Sequence, residues 1–416
     1  MPGTGSLWLR LMPQSSCFPA RPLCVAVGAV SLSSPLTGIG QYTRHLVREL
    51  AALGATPHCF LGAGWSEAGS ASPHAGADGP APDNAGRAAA WRTAARGLLR
   101  RSGLAHVASR AWQAHRFRTG LPREAALYHE TNFLPFCYGA LPTVLTAHDV
   151  SWLRYPETHP AARVSLMHRQ FPRALARADR VIVVSDFVRA ELLALCEVDP
   201  GKVRVVHNGV APAFRPHAAD VLAPVLARHG LVPGRYLLAL GTLEPRKRLS
   251  TALRAHQRLP AALRRHMPLV LAGIKGWLTS GLEREMAPAV ARGEVRVAGY
   301  VPDAELPSLV AGACAMVYPS IYEGFGLPPL EAMASGVPVI CSDRSALPDV
   351  VGDGGVLLDP DDIDGFSAAM LRACEDARWR AAIGARALRR AAGFSWQRCA
   401  RETLDVYGEL LATGRG

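Results

Sequence analysis

Short apolar segments alternate with helix-like segments along most of the chain, and this order constrains the fold more than any other feature. A strand, a helix and a further strand in succession form a βαβ unit, whose strands are parallel. The strand-like segments of the first half are Leu23–Val30, His58–Leu61, Ala126–His129, Thr143–Ala147, Arg180–Val184 and Val203–Val206. Those of the second half are Tyr236–Leu240, Leu269–Ala272, Val295–Ala298, Cys314–Tyr318, Val337–Cys341 and Gly355–Leu358. The sequence therefore predicts an α/β protein with two parallel sheets.

The chain divides at a proline-containing stretch, Pro212–Pro216, after which the alternation restarts. Its 416 residues suffice for two domains of about 200 residues, each with its own hydrophobic core. We therefore expect two Rossmann-like domains, residues 23–215 and 216–393, that face each other across a cleft. Residues 394–416 have the pattern of an amphipathic helix opened by a Ser395 cap.

Two segments fall outside this pattern. Residues 1–22 precede the first strand and have no clear role, and residues 62–86 are rich in Gly, Ala, Ser, Pro and Asp, which predicts a mobile surface loop. The apolar segment Leu23–Val30 is far too short to span a bilayer, and the opening residues lack a clear signal-peptide pattern. We therefore expect a cytoplasmic protein.

The nine cysteines are scattered and never spaced as Cys-x-x-Cys, which argues against a disulfide framework or a zinc site and favours reduced core thiols. The acidic run Asp359–Asp362 follows the last strand and is assigned a structural role. We expect no metal at the functional site.

The formal net charge of +12 comes almost entirely from arginine, since only three of the 46 basic residues are lysines. Between Arg87 and Arg123 nine arginines occur without an acidic residue, interleaved with Trp and Leu. Such a segment suits the anionic headgroups and the interfacial zone of a membrane, here the inner face of the plasma membrane. A solvated basic helix face remains the alternative. Nucleic-acid binding is disfavoured because no recognised binding module accompanies the charge.

The segment from Tyr318 to Ile340 contains two glutamates, Glu323 and Glu331, separated by a glycine turn and a helix start. Pro329 suits the first turn of a helix, so Glu331 is expected in that turn. A helix start offers free N–H groups and a positive dipole end, which predicts an anion site for phosphates. The glutamates would accept hydrogen bonds from ligand hydroxyls. Alternatively, Glu331 only stabilises its helix and Glu323 is a solvated loop residue.

In open parallel sheets, ligands bind beyond the carboxyl ends of the strands. Arg246 and Lys247 follow one such strand and could neutralise a diphosphate leaving group without a metal. His148 follows another strand, where it is either structural or part of the site. Further candidates at strand ends and helix starts are Gly38, Gly40, Asp149, Ser185, Asn208, Gly241, Tyr300, Gly326 and Leu327. Asp149 could orient the imidazole or cap the next segment, Ser185 could cap a helix, and Asn208 could belong to a plain left-handed turn.

The segment Tyr318–Ile340 resembles the Glu-x7-Glu element of glycosyltransferase family 4, retaining enzymes with the GT-B fold. The similarity extends from about Leu23 to Leu411, and the motifs occur in the same order as in the family. It implies that Arg246 and Lys247 hold the donor phosphates and that His148 reaches the donor sugar. It further implies that Glu323 binds sugar hydroxyls and Glu331 ribose hydroxyls, with a terminal helix that crosses back to the first domain. Donor-binding positions implied by the same resemblance are Gly38, Gly40, Gly241, Gly326 and Leu327.

The function that follows is transfer of a hexose, with retention, from a nucleoside diphosphate sugar to a hydroxyl of a glycan or lipid-linked acceptor, with no cofactor. GDP-mannose is the first expected donor, because the segments Thr37–Gly40 and His148–Asp149 resemble those of mannosyltransferases of surface polysaccharide assembly. UDP-linked hexoses are the alternative donors. The alternatives are a nucleotide-sugar epimerase of the same fold and a catalytically silent nucleotide-sugar-binding subunit.

Overall fold

Two sheets form the framework of the protein, whose computed structural model describes residues 22–33, 36–67, 103–277 and 279–413. The strands of the first sheet are β1 Cys24–Gly28, β2 Thr56–Phe60, β3 Trp65–Glu67, β4 Leu127–Glu130, β5 Thr143–Ala147, β6 Arg180–Val183 and β7 Val203–Val205. Those of the second sheet are β8 Leu237–Leu240, β9 Leu269–Ala272, β10 Val295–Gly299, β11 Ala315–Tyr318, β12 Val339–Ser342 and β13 Gly355–Leu358.

Helices cover the faces of both sheets. The helices of the first half are α1 Gly38–Ala52, α2 Gly103–Thr119, α3 Ser151–Arg154, α4 Ala161–Arg177 and α5 Asp186–Leu195. Those of the second half are α6 Ala219–Arg228, α7 Leu249–Gln257, α8 Ala261–His266, α9 Ser280–Ala291, α10 Leu306–Ala311, α11 Leu327–Ala334, α12 Leu347–Val351, α13 Ile363–Glu375, α14 Ala377–Ala391 and α15 Trp396–Thr413. Within the described ranges, none of these helices is long and apolar enough to cross a membrane.

The order of strands in each sheet creates a crevice at its centre. The first sheet runs β3-β2-β1-β4-β5-β6-β7 and the second β10-β9-β8-β11-β12-β13. All pairs are parallel except β2 with β3. In both sheets the direction of winding reverses beside the first strand, between β1 and β4 and between β8 and β11. Such switch points at the carboxyl ends of strands are where doubly wound sheets bind ligands.

The last helix, α15, returns to the first sheet, as expected. It begins behind a Ser395 cap, whose Oγ accepts from the backbone N–H of Arg398 at 3.1 Å. Its Tyr407 hydroxyl bonds to Nδ1 of His129 on β4 at 2.6 Å. A Cβ on Gly209 would lie 2.0 Å from the backbone nitrogen of Trp396, so the chain after β7 must pass closely beneath the helix start.

Twelve of the thirteen strands among the described residues overlap segments that the sequence predicted, because buried parallel strands appear as short apolar runs. The exception is β3, an antiparallel edge strand that lies within the loop expected at residues 62–86. The expected loop therefore begins later than Gly62, and residues 68–86 lie outside the described part of the chain. The acidic run Asp359–Asp362 has the structural role expected of it, since Asp362 caps α13 and Asp361 pairs with Arg248.

Candidate active site

A cleft with a cavity of about 430 Å³ lies where the carboxyl ends of the two sheets face each other. The predicted site residues that line it are Gly38, His148, Asp149, Asn208, Gly241, Arg246, Lys247, Tyr300, Glu323, Gly326, Leu327 and Glu331. Gly40 and Ser185 lie outside this lining. A Cβ on Gly40 would approach Leu36 to 2.8 Å, so the geometry gives this glycine a packing role. Ser185 caps α5 by accepting from Val188 N–H at 3.1 Å, and its hydroxyl donates across the cleft to the Gly324 carbonyl at 2.7 Å.

The carboxylate of Glu323 is surrounded by donors on one wall of the cleft. Its Oε1 accepts from Lys247 Nζ at 2.8 Å, from the Tyr318 hydroxyl at 3.1 Å and from Ser320 Oγ at 2.5 Å. Its Oε2 lies 3.1 Å from Nη1 of Arg246. Three donors therefore saturate one oxygen, and the other retains room for a further donor such as a sugar hydroxyl.

Electrostatics hold Glu323 in its ionised form. Burial alone would raise its pKa, but the charges of Lys247 and Arg246 and the hydrogen bonds of Lys247 and Ser320 lower that pKa to about 2. The backbone of Glu323 is fixed as well, since its N–H donates to Ser345 Oγ at 2.9 Å. The carboxylate is consequently pre-organised as an acceptor at neutral pH.

Arg246 joins this cluster to a second carboxylate. Its Nη2 lies 2.5 Å from Glu244 Oε1, its Nη1 donates to the Tyr322 carbonyl, and its buried Nε has no hydrogen-bond partner among the described residues. Burial opposes its positive charge, but the two glutamates outweigh burial and raise its pKa above the ordinary value. The formal charges of this cluster cancel, since it contains two glutamates, Glu244 and Glu323, and two cations, Arg246 and Lys247. A diphosphate bound here would compete with the two carboxylates for the two cations.

Glu331 lies in the second turn of α11, not in the first turn, where the sequence placed it. The helix begins at Leu327, because Gly326 precedes it with a φ of 111° that only glycine adopts easily. Its carboxylate is half-buried and has no hydrogen-bond partner among the described residues. Burial and the neighbouring Asp303 raise its pKa to about 8. An incoming hydroxyl would therefore meet an acceptor that no protein group occupies.

The start of α11 offers fewer backbone donors than the sequence suggested. Two prolines occupy the second and third helical positions and have no N–H. The N–H groups of Phe325, Gly326 and Leu327 make no hydrogen bond within the described ranges, and all three residues line the cleft. The unpaired backbone donors beside the cleft therefore belong to this short glycine-containing turn and the first residue of the helix.

His148 faces this wall from the first sheet. Its Nε2 lies 2.8 Å from the Thr131 carbonyl oxygen, so Nε2 carries the proton and donates. Burial lowers its pKa, which favours a neutral imidazole whose Nδ1 is an acceptor. Asp149 does not orient this ring; its Oδ1 accepts from the N–H and the hydroxyl of Ser151 at the start of α3. Asp149 therefore bonds to the first residue of α3, although the N-cap position of that helix belongs to Val150.

Asn208 is 5% exposed, and its Oδ1 has no hydrogen-bond partner among the described residues. Neither Asn208 nor Gly209 has a positive φ, so the plain left-handed turn considered as an alternative is wrong. An orphaned amide oxygen on the cleft wall is an acceptor that a bound molecule could satisfy.

Several cleft residues were not singled out from the sequence. Tyr318 ends β11, Ser320 lies two residues beyond it, and both donate to Glu323, so the strand-end rule would have identified them. Asp303 accepts from Gln41 Nε2 at 3.2 Å and pairs with Arg44 at 2.7 Å, which links α1 to the loop after β10. No sequence signal connects these distant segments.

Two family profiles match the chain. One, described as "Glycosyltransferase Family 4", matches residues 36–214, and another, "Glycosyl transferases group 1", matches residues 229–390. An O-antigen chain mannosyltransferase B from Escherichia coli is 36% identical over 90% of this chain and 96% of its own length. The chain belongs to glycosyltransferase family 4. A D-inositol 3-phosphate glycosyltransferase from Salinispora tropica is 35% identical to this family 4 enzyme over 66% of the chain and 60% of its own length.

Solved structures confirm the fold of this family 4 enzyme. A sucrose-phosphate synthase from Thermosynechococcus elongatus matches with a TM-score of 0.69 over 94% of this chain and 100% of its own, at 21% identity. WaaG, a glycosyltransferase of lipopolysaccharide biosynthesis, matches with a TM-score of 0.66 over 92% and 99%, at 16% identity. The fold is GT-B, with α15 crossing back to the first sheet as predicted, and the protein is a hexosyltransferase.

Proposed function

We propose that this glycosyltransferase moves mannose, with retention of configuration, from a nucleoside diphosphate sugar to a hydroxyl of a glycan or lipid-linked glycan. The observation that best supports this function is the buried cluster of Arg246, Lys247 and Glu323 on the cleft wall, in which two cations contact an ionised hydrogen-bond acceptor. The choice of mannose is supported by the E. coli relative, whose name is O-antigen chain mannosyltransferase B. A second E. coli relative, the serotype-specific mannosyltransferase WbdA, is 29% identical over 66% of this chain and 34% of its own length.

Each residue of the cluster would have a separate task. Arg246 and Lys247 would neutralise the diphosphate as the bond to the sugar breaks, which stabilises the charge that develops on it. Oε2 of Glu323, which only Arg246 approaches, would accept from a sugar hydroxyl. Nδ1 of neutral His148 would accept from another hydroxyl near the reacting carbon. The acceptor would attack from the face that the phosphate leaves, with a departing phosphate oxygen taking its proton.

Glu331 would hold the nucleoside. Its half-buried carboxylate, with no protein donor in the described structure, suits the paired hydroxyls of a ribose. The N–H groups of Phe325, Gly326 and Leu327 would face the phosphates or the sugar between these two carboxylates. We assign both glutamates to binding and orientation, so no glycosyl adduct on Glu323 is expected.

A donor and acceptor panel tests this function and its alternatives. The protein is incubated with GDP-mannose, UDP-glucose and UDP-galactose, with and without short mannosides, and release of nucleoside diphosphate is followed. We expect release from GDP-mannose that requires the mannoside. Conversion of the free nucleotide sugar into its epimer would instead identify an epimerase. Binding without turnover under every condition would identify a silent binding subunit.

We further propose that the basic segment between Arg87 and Arg123 docks the enzyme on the inner face of the plasma membrane. Residues 87–102 lie outside the described part of the chain, but Trp112 on α2 is 53% exposed and Arg116 and Arg118 beside it are exposed. Arg110 and Arg116 also donate to backbone carbonyls, Arg110 to that of Leu134 at 2.6 Å and Arg116 to that of Ala63 at 3.1 Å. Each remaining basic residue that lies near an anionic membrane surface would contribute about 1 kcal/mol to the free energy of binding.

Liposome co-sedimentation tests this docking. We expect binding to vesicles that contain phosphatidylglycerol at low salt, loss of binding at high salt and little binding to phosphatidylcholine alone. Changing Arg96, Arg100 and Arg101 to Glu should weaken binding, whereas changing the same three residues to Lys should preserve it. Equal failure to bind both vesicle types at low salt would refute membrane docking and leave the transferase proposal untouched.

A further inference from the structure

Three potential metal ligands converge on the first sheet, near the amino ends of its strands and away from the cleft. The thiol of Cys24 on β1, the imidazole of His58 on β2 and the carboxylate of Glu124 before β4 place their ligand atoms within 4.8 Å of one another. The cleft lies at the carboxyl ends of these strands, so this group takes no part in the proposed transfer. We propose that Cys24, His58 and Glu124 bind a thiophilic divalent cation, with Zn²⁺ the best match.

The register of the sheet explains why these side chains meet. Cys24 pairs with Thr56 and Ala26 with His58, so Cys24 and His58 occupy the same face of adjacent parallel strands, two positions apart. The backbone N–H of Ala126 donates to the Cys24 carbonyl at 2.9 Å, which holds the turn containing Glu124 against the start of β1. Backbone pairing thus fixes all three positions.

The distance between two of the ligand atoms is compatible with a shared ion. His58 Nε2 and Glu124 Oε1 are 3.6 Å apart, which is too long for a hydrogen bond but within the range of an ion pair. Two atoms bound at about 2.0–2.2 Å in a tetrahedral site are separated by roughly 3.3–3.6 Å. The thiol lies within 4.8 Å of both atoms, so a modest side-chain rotation closes the site.

The three converging residues leave one position of a tetrahedral site open, which water would take. Glu67 on β3 stands directly opposite His58 in the antiparallel register of β2 and β3, but its carboxylate is not among the ligand atoms that converge.

The chemistry of the set selects the ion. A thiolate and an imidazole favour zinc over magnesium or calcium, which prefer oxygen ligands. The carboxylate of Glu124 lies beside the thiol and would attract a dication, which deprotonates a thiol that coordinates it.

Such a site would tie the turn before β4 to two strands of the first sheet. Glu124 lies in that turn, between α2 and β4, whereas Cys24 and His58 lie on β1 and β2. The ion would therefore hold this turn against the sheet. The ion would stabilise the fold and take no part in catalysis. The test of the metal site is therefore independent of the test of the transferase proposal.

Cobalt(II) titration of the full-length protein, without an affinity tag, tests the site. We expect about one equivalent of Co²⁺ to produce a thiolate-to-cobalt charge-transfer band and the visible bands of tetrahedral cobalt, both displaced by Zn²⁺. Cys24→Ser should abolish the charge-transfer band. The matched control is Cys59→Ser, since Cys59 is next to His58 on β2 but faces the opposite side of the sheet. The control should retain the band.

Affinity and stability supply a second measurement. Glu124 would be a direct ligand of the ion. Because losing even the hydrogen-bond partner of a ligand costs about 10–100-fold in affinity, Glu124→Gln should weaken Zn²⁺ binding by at least about tenfold. Added Zn²⁺ should raise the melting temperature of the unmodified protein and of Cys59→Ser but not of Cys24→Ser. A charge-transfer band that persists in Cys24→Ser, or no such band in the unmodified protein, would overturn the proposal.

Discussion

Replacing Glu323 with Gln removes the charge that balances Arg246 and Lys247 while preserving the size of the side chain. The ordinary glutamate pKa of 4.5 falls to about 2 in this site, which corresponds to about 3 kcal/mol of stabilisation. Breaking a buried ion pair from one side costs a similar 3–5 kcal/mol or so. We therefore expect Glu323→Gln to lose about 3 kcal/mol of unfolding free energy at pH 7.

The matched control is Glu331→Gln in the same cleft. With a pKa of about 8, Glu331 is largely protonated at pH 7, so an amide at this position should leave stability unchanged or slightly increased. Urea unfolding of both variants, followed by circular dichroism, measures the difference. Equal loss of stability in the two variants, or none in Glu323→Gln, would refute the assigned charge states.

The pH dependence of the Glu323 effect provides a further check. Because the folded-state pKa of Glu323 lies below the unfolded value, its contribution is fully present above about pH 4.5 and is lost as the pH falls through 2. The stability gap between the unmodified protein and Glu323→Gln should therefore narrow over this range. Turnover of the variant should fall on the order of 10²-fold at neutral pH, since the sugar loses an ionised acceptor.

Three further predictions concern the same cleft. Arg246→Ala and Lys247→Ala should each lower turnover by on the order of 10²-fold or more, and normal rates and donor affinity in both would refute the phosphate assignment. Because ribose hydroxyls bind the ionised form of Glu331, the affinity for nucleoside diphosphate should rise with pH up to about 8, and binding at pH 7 should release a proton. Calorimetry in two buffers measures the proton release, which Glu331→Gln should lack. His148→Ala should slow transfer without weakening binding of the nucleoside diphosphate alone, and an equal loss of both would contradict contact with the sugar.

Local patterns predicted most of the framework and the identities of the cleft residues. Apolar runs located the strands, and the strand-end rule brought His148, Arg246 and Lys247 to one cleft. Glu331 was placed in the first turn of its helix from the position of Pro329, whereas the helix already begins at Leu327, directly after Gly326. β3 has three residues and too little pattern to detect.

What the sequence could not supply was the pairing of distant groups. The bond from Lys247 to Glu323 joins residues 76 positions apart, and only the packing of β8 against β11 brings them together. The meeting of Cys24, His58 and Glu124 depends on strand order and register, whereas zinc motifs are recognised by local spacing. The charge state of Glu323 follows from the same long-range contacts.

The most direct test of the proposed transfer is NMR analysis of the product formed from GDP-mannose and a defined mannoside acceptor. The account predicts one new α-linked mannose for each GDP released, since the donor itself is α-linked and the reaction retains configuration. It also predicts that Lys247→Ala forms that product at least about 10²-fold more slowly. A β-linked product, or GDP release that does not depend on the acceptor, would contradict it.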